Sequence, residues 1–281
     1  MRNRDLAIKT VDGIIGDIES AVKRGAAVFG EDELLTSLIP SFLGVGGGIE
    51  IKPQAGRVYT GERRNLTILL DCKNWIDTFH YLNRFRVVDE LLKQGDYIRL
   101  PIKANAGSFG GLEFAALDIP ETELVVTDVT PNKINLNFEE ALFFSAVNEK
   151  NTNKGGLKES ALGKYLNTQF LDALDPVKEC LAKNKDGLKV TLPTLYEVAA
   201  DDDFGKDMNW EDEPRQLEYF KKIKNRIRTY DNDTKWWWLY NAANASGFAS
   251  VNNYGYANLN YASITSGGVA PAICIIRPPA P

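Results

Sequence analysis

The chain has 281 residues, 44% of them hydrophobic and 25% charged, which is typical of a soluble globular protein with one large or two modest domains. The formal net charge of −5 argues against a nucleic-acid-binding protein, because phosphate neutralisation requires clustered lysine and arginine. No stretch has the apolar length of a secretory signal or a membrane span. The sequence therefore predicts a protein that is made in the cytoplasm and is not inserted in a membrane.

Residues 1–94 predict an N-terminal mixed α/β domain. Apolar residues spaced three and four apart predict an amphipathic helix that ends near Gly25: Ile8, Val11, Ile15, Ile18 and Val22. The segment RVYTGERRNLTILLDC predicts strands around a turn at Gly61, and WIDTFHYLNRFRVVDELLKQG returns to helical spacing. Two hypotheses stay open for the first helix: it packs against its own domain, or it serves as a short assembly element.

A second unit, residues 95–281, begins with strands. GDYIRLPI, GGLEFAALDI and TELVVTDVTPNKINLNFEEAL have strand patterns, and the last contains a turn at Pro131 and Asn132. Four apolar residues spaced four apart then predict one amphipathic helix before Pro176: Leu162, Leu166, Phe170 and Leu174. The unit is therefore predicted to be α+β.

Two further signals follow in chain order. Thr194 and Glu197, three residues apart, predict a capping box at the start of another helix. The basic run KKIKNRIR, residues 221–228, lies among acidic residues and predicts the solvated face of a helix instead of a phosphate site. From Trp236 onward the pattern indicates short strands and long turns.

Residues suited to catalysis or metal binding are few. The single histidine, His80, excludes a multi-histidine metal site, and its aromatic neighbours favour a packed histidine over a general base. The three cysteines lie far apart and predict buried thiols: Cys72, Cys180 and Cys274. The acidic run 201–203 lacks the ligand spacing of an EF-hand and favours a loop at the end of a helix. No catalytic residue, metal site or cofactor is predicted.

Residues 236–275 have apolar residues at both ends and no periodic apolar pattern between them. Their sequence is WWWLYNAANASGFASVNNYGYANLNYASITSGGVAPAICI. Its three tryptophans and the apolar strand from Val269 to Ile275 predict a frame, and the Asn, Tyr, Ser and Gly residues between them are those that binding loops favour. The alternative is that Asn and Gly serve turns. The predicted ligand-contacting residues are Tyr240, Asn241, Asn244, Phe248, Asn252, Asn253, Tyr254, Tyr256, Asn258, Asn260 and Tyr261.

The order of motifs from about Gly95 to Arg277 resembles a domain of unknown function common in Firmicutes and their prophages. That family carries a WWLRSP-like motif, an Asn- and Ser-rich stretch with a VN pair and a closing GVRPA strand, which WWWLYN, VNNYGYAN and GGVAPAICI resemble here. LPTLYEVA is similar to a segment of the formylglycine-generating-enzyme type of C-type lectin fold. The resemblance implies a C-type-lectin-like domain over residues 95–281. Tyr240, Asn241 and Ala270 replace family residues, among them the arginines, and no catalytic cysteine aligns, so neither an arginine site nor the enzyme's activity carries over.

The same tail resembles the variable regions of proteins that diversity-generating retroelements modify at adenine-rich codons. This resemblance implies a non-enzymatic adhesin of a phage or prophage virion, made in the bacterial cytoplasm, with a diversifiable surface that binds a host cell-surface protein or glycan. The N-terminal domain is expected to attach to other virion proteins in a homo-oligomer. The alternative is a structural virion or assembly protein whose Asn- and Tyr-rich surface packs against neighbouring subunits. An enzyme is the third hypothesis, which the single histidine disfavours.

Overall fold

A computed structural model describes residues 63–66, 92–130, 133–207 and 216–276. All of these except Leu66 belong to one compact unit. The helices predicted from Ile8 to Val22 and after Trp75, together with His80 and Cys72, lie outside the described residues. The separate attachment domain over residues 1–94 therefore stays a prediction.

The described part of the chain is α+β, with more strand than helix. Its strands are β1 (Tyr97–Ala104), β2 (Gly107–Phe109), β3 (Leu112–Phe114), β4 (Leu117–Thr130), β5 (Lys133–Phe138), β6 (Phe143–Phe144), β7 (Val190–Thr191), β8 (Arg228–Tyr230), β9 (Asp233–Lys235), β10 (Trp237–Asn244), β11 (Gly247–Val251), β12 (Ala257–Tyr261), β13 (Gly268–Val269) and β14 (Ala272–Ile276). Its α-helices are α1 (Gly156–Glu159), α2 (Ala161–Leu166), α3 (Gln169–Asp172), α4 (Leu195–Ala199) and α5 (Asp203–Asp207). Short 3₁₀ helices span Lys178–Cys180, Glu218–Lys221 and Ile223–Arg226.

The first sheet has the strand order β1-β4-β5-β14-β7, and each neighbouring pair is antiparallel. Alternate residues of β1 are buried, as expected for a strand with one face on a core: Ile98, Leu100, Ile102 and Ala104. The strands predicted from Gly95 onward are therefore confirmed. The C-terminal strand β14 returns to pair with β5, with Ile273 opposite Leu136.

The second sheet has the order β12-β11-β10-β13-β6 and carries the candidate site. Strands β10, β11 and β12 form an antiparallel meander, and β13 runs parallel to β10 with Gly268 opposite Trp237. Gly267 lies so close to the tryptophans that a Cβ there would fall 2.0 Å from Trp238 Nε1 and 2.7 Å from Trp236 Cη2. Glycine at this position is what allows β13 to approach β10.

A hydrophobic core packs one face of β10 and β11 against α4, β4 and the 3₁₀ segment after residue 216. Its buried members are Val125, Leu195, Val198, Ala199, Leu217, Tyr219, Phe220, Trp237, Leu239, Ala249, Val251 and Ala270. Trp237 is completely buried in this core, and its indole N–H donates to the Arg226 carbonyl (2.8 Å). The predicted frame is therefore divided between two sheets, because Val269 belongs to the second sheet and Ile275 to the first.

The basic run 221–228 is not the solvated α-helix that the sequence predicts. Its lysines are exposed, but Arg226 and Arg228 are buried. Arg226 donates to the Phe220 carbonyl and to Asp201, each at 2.5 Å. Arg228 lies over the Trp237 ring at 4.7 Å, and burial lowers the pKa of its guanidinium. Two arginines thus attach a segment that contains a short 3₁₀ helix, and no α-helix, to the core. Charge patterning alone does not distinguish this role from solvation.

The helix predicted through Leu162, Leu166, Phe170 and Leu174 is interrupted, although all four side chains are buried as expected. The break falls at Asn167 and Thr168. The Thr168 hydroxyl donates to the Lys164 carbonyl (2.7 Å), and the Asn167 amide bonds to Gly163 and to Val190 of β7. These side chains compete with helical backbone bonds, which explains the division into α2 and α3.

The capping box at Thr194 and Glu197 is confirmed: the Thr194 hydroxyl accepts from the Glu197 N–H (3.1 Å), and the Glu197 carboxylate accepts from the Thr194 N–H (2.9 Å). Asp201 and Asp202 connect α4 to α5, as predicted for a loop at the end of a helix, whereas Asp203 is the first residue of α5. Among the described residues no helix is long and apolar enough to cross a bilayer.

Candidate ligand-binding surface

The candidate site lies at one end of the meander, where the loop of residues 252–256 joins β11 to β12. The Asn252 side chain organises this loop, because its Oδ1 accepts from the backbone N–H groups of Tyr254 (2.9 Å) and Tyr256 (3.1 Å). The Asn252 N–H donates to the Tyr256 carbonyl (2.8 Å), and the Gly255 N–H donates to the Asn252 carbonyl (3.0 Å). These hydrogen bonds define the loop conformation locally.

The loop also rests on the chain beneath it. Gly255 has φ +88°, and a Cβ there would lie 2.8 Å from both Cγ2 and the carbonyl oxygen of Ile223, so both conformation and space call for glycine. The Asp202 carboxylate accepts from the N–H of Ala257 at the start of β12 (2.8 Å). The connection between α4 and α5, which contains Asp202, therefore holds the start of β12 in place beside the site.

The supported loop presents aromatic side chains to solvent. Tyr254 is 74% exposed and Tyr256 49% exposed, which confirms that these two tyrosines project outward. Large exposed aromatic rings on a locally hydrogen-bonded loop are suited to binding, since they add contact area and lose little conformational entropy. Neither ring is needed to fill the hydrophobic core.

A cleft of about 220 Å³ opens beside the loop, lined by Trp236, Asn252, Asn253, Tyr254, Asn258 and Asn260. Five of these six residues belong to the predicted ligand-contacting set. Asn258 and Asn260 come from β12, and the strand period of two places them on the same face. Opposite them on β11 are Ser250 and Phe248, respectively.

The amides of the cleft are only partly used by the protein. The Asn260 amide N–H donates to the Ser250 hydroxyl (3.0 Å), and the Asn258 Oδ1 accepts from the Leu259 N–H (2.8 Å). Within the described ranges, the Asn253 side chain has no hydrogen bond, and neither do the Asn260 Oδ1 and the Asn252 and Asn258 Nδ2 atoms. Both donors and acceptors are therefore available to a ligand.

Two predicted contact residues are buried in the protein. Asn241 is 5% exposed, and its Oδ1 accepts from the Leu195 N–H at the start of α4 (2.6 Å). Phe248 is completely buried, although it lies directly opposite Asn260 and so on the same sheet face as the cleft. The expectation that these two residues lie at the surface is wrong. Asn241 accepts a hydrogen bond from the N-terminus of α4, and Phe248 is packed inside the protein. Tyr240 is half-buried, and its N–H donates to the Pro193 carbonyl (2.9 Å).

Asn244 and Tyr261 are exposed but do not line the cleft. Asn244 is the last residue of β10, where its Oδ1 accepts from the Ser246 N–H of the following turn (2.9 Å) and its carbonyl accepts from the Asn153 amide. Tyr261 is 54% exposed and follows Asn260, so strand alternation directs it to the opposite face of β12. The predicted set is therefore distributed over more than one patch.

Trp236 is the cleft residue that the predicted contact set lacks. Its ring meets Trp238 edge to face, with centroids 4.8 Å apart, and the Trp238 indole N–H donates to the Ser145 carbonyl (2.8 Å). The strand period carried a usable signal: of three consecutive tryptophans, the outer two share one face and Trp237 takes the other. Since Trp237 packs in the core, its two neighbours must border the opposite face.

The described residues offer little for covalent or metal chemistry. They contain no group of three or more His, Cys, Asp or Glu residues that could hold a metal ion. Cys180 is buried, and burial raises the pKa of the Cys274 thiol to about 11, so that thiol stays protonated and unreactive near neutral pH. Burial likewise raises the pKa of Tyr165 to about 12. The groups left to contact a ligand are amides and aromatic rings.

Residues 132–277, just over half of the chain, match the family described as Domain of unknown function (DUF6273). The chain belongs to this family. The DUF6273 region runs from β5 to β14 and contains the whole second sheet and the cleft. No curated protein and no solved structure shows significant similarity to the chain. The DUF6273 description names neither a ligand nor an activity, so the lectin-like, phage and retroelement resemblances stay predictions.

Proposed function

We propose that this DUF6273 protein is a non-enzymatic ligand-binding protein whose cleft and tyrosine-bearing loop bind a host cell-surface protein or glycan. The observation that carries the proposal is the cleft itself, where four asparagines, Trp236 and Tyr254 converge on one opening. Ligand sites are generally concave and carry a small number of polar groups that fix the orientation of the ligand. Exposed tyrosines beside it supply the aromatic anchors on which interfaces commonly depend.

The proposal includes a C-type-lectin-like fold for residues 95–281. The α+β composition, the two sheets and the return of β14 to β5 are compatible with it. The capping-box helix in LPTLYEVA adds the local structure that the sequence resemblance requires. The C-terminal strand thereby closes the unit that displays the binding surface.

The proposal also places the protein in a phage or prophage virion, as a tail or head adhesin. Residues 1–94 would attach it to other virion proteins as a homo-oligomer, with neither nucleic acid nor a membrane as a partner. This part of the proposal depends on the motif resemblance and on the acidic net charge of −5.

Cell binding tests the proposal directly. Fluorescently labelled full-length protein should bind saturably to cells of some strains related to the bacterium that carries the gene, as measured by flow cytometry. Excess unlabelled protein should remove the signal, because a specific surface has a limited number of receptors. Absence of saturable binding to every strain tested would refute the adhesin function.

Diversification of the surface can be checked from DNA. A near-copy of the codons for residues 240–275 should lie close to the gene and differ from it at template adenines. Mismatches should fall on Asn, Tyr, Ser and Ala codons and spare Trp237, Gly268 and Pro271, which are buried. A Cβ on Gly268 would approach the Trp236 carbonyl oxygen to 3.0 Å, which is closer than an ordinary van der Waals contact. A complete genome without such a copy would rule out the retroelement and leave a fixed binder or a structural protein.

The competing function is a structural virion or assembly protein. The observation that favours it is that β12 is an edge strand with exposed residues, a feature that can pair with a neighbouring chain. However, the side chains of Asp202 and Asn258 already accept the N–H groups of Ala257 and Leu259 along that strand. Because these backbone N–H groups of the edge strand already have partners, binding of a ligand by side chains is favoured, and addition of a neighbouring strand to the sheet is disfavoured.

A further inference from the structure

We propose that the cleft binds one ring of a neutral sugar. This inference deepens the proposed function and rests on it, since it assigns the ligand class of the same site. The size of the cleft is the first argument. At about 220 Å³ it is smaller than the roughly 300–1,000 Å³ typical of pockets for drug-sized ligands. A single ring at the end or branch of a larger glycan fits this volume better than an extended peptide.

The second argument is hydrogen-bonding chemistry. Each asparagine amide offers a carbonyl acceptor and an NH₂ donor, and a sugar hydroxyl both donates and accepts. Among the described residues, the groups of the cleft without a hydrogen bond include both kinds: Nδ2 of Asn252 and Asn258, Oδ1 of Asn260, and the whole amide of Asn253. A ring with several neighbouring hydroxyls can therefore satisfy donors and acceptors together.

The third argument is charge. All six lining residues are uncharged at neutral pH. A carboxylated or phosphorylated ligand would need a cation to offset its desolvation, and a lysine or arginine side chain would need a carboxylate. An apolar peptide side chain would leave the amides without partners, which costs binding free energy. Of these ligand classes, a neutral polyhydroxylated ring leaves the fewest groups uncompensated.

The fourth argument is aromatic geometry. Trp236 is oriented by its edge-to-face contact with Trp238, which is itself fixed by the bond to Ser145. Tyr254 borders the same opening from a loop that Asn252 holds. The electron-rich face of an aromatic ring attracts weakly positive C–H groups, which a sugar ring presents on one side. The indole ring of Trp236 and the phenol ring of Tyr254 can thus contact the apolar part of a sugar, while the four amides bind its hydroxyl groups.

Saturation-transfer NMR with the full-length protein tests this inference. The probes are glucose, galactose, mannose and N-acetylglucosamine, with sialic acid as the acidic comparison, each at millimolar concentration. At least one neutral sugar should bind and sialic acid should not. Asn253→Ala combined with Asn258→Ala should weaken binding of that sugar about tenfold, because two hydrogen-bonding side chains are lost. Both residues are exposed, so the double variant should fold, as circular dichroism can verify.

The matched control is Tyr230→Ala, which removes an exposed tyrosine that does not line the cleft. Its affinity for the sugar should equal that of the parent protein. Failure of every neutral sugar to bind, tighter binding of sialic acid, or unchanged affinity in the double variant would overturn the sugar assignment. Saturable cell binding that no neutral sugar inhibits would also overturn it while leaving the adhesin function intact. Absence of cell binding would instead refute the adhesin function.

Discussion

Replacing Trp237 with alanine should lower the free energy of unfolding by about 3 to 5 kcal/mol, the usual cost of truncating a large buried aromatic side chain. Trp237 is completely buried in the core and lies under the Arg228 guanidinium. Its loss also removes the donor to the buried Arg226 carbonyl, which is then left without this partner. Since a domain of this size has about 5 to 15 kcal/mol of stability, a large fraction of it should be lost.

Urea denaturation followed by circular dichroism measures this effect, because the signal does not depend on tryptophan fluorescence. Trp236→Ala is the matched control, since its side chain is only half-buried and lines the cleft. The control should unfold at a urea concentration much closer to that of the parent. If Trp237→Ala has the same midpoint as the parent, the core that supports the second sheet does not depend on this residue.

Replacing Tyr254, Tyr256 and Tyr261 together with alanine should abolish binding to host cells. An aromatic anchor at an interface is worth roughly 2 kcal/mol or more when truncated, so three lost rings reduce affinity beyond detection. Exposed positions change stability by only about 0.5 kcal/mol each, and all three rings are exposed. Adsorption of particles that carry the variant, and labelling of cells by the purified variant, measure the loss.

The same variant separates the two leading functions. Intact particles that no longer adsorb would support receptor binding, whereas particles that fail to assemble would support the structural role. Tyr261→Ala alone tests whether the face of β12 opposite the cleft also contacts the receptor, because strand alternation places Tyr261 on that face. Tyr230→Ala serves as the control, since this tyrosine lies on β8 beside Phe144. Normal adsorption by particles that carry all three changes would exclude these tyrosines as receptor contacts.

The elements that the sequence predicts correctly are those that short-range chemistry determines. The alternation of β1 and the reciprocal bonds of Thr194 and Glu197 depend on neighbours within a few residues. The helix through Leu162 and Leu174 fails in part because Asn167 bonds to β7, a contact between residues more than twenty positions apart. Tertiary hydrogen bonds of this kind have no signature in local spacing.

The candidate site was predictable as a segment but not residue by residue. Composition correctly indicates where exposed tyrosines and asparagines concentrate, and Asn253, Tyr254 and Asn258 do meet at one cleft. Composition cannot indicate that the Asn241 amide accepts a hydrogen bond from α4. An asparagine makes the same contribution to composition whether it binds a ligand or a backbone N–H. The burial of Arg226 was missed for the same reason, since its partner Asp201 lies in another loop.

The self-contained bonding of the 252–256 loop makes the surface suitable for combinatorial engineering. The Asn252 side chain and Gly255 define the loop, whereas the side chains of Asn253 and Tyr254 hold no part of it in place. A synthetic library that keeps the first pair and randomises the second, together with Asn258, would vary the recognition surface on an unchanged backbone. Selection from such a library could then yield binders for targets unrelated to the natural ligand.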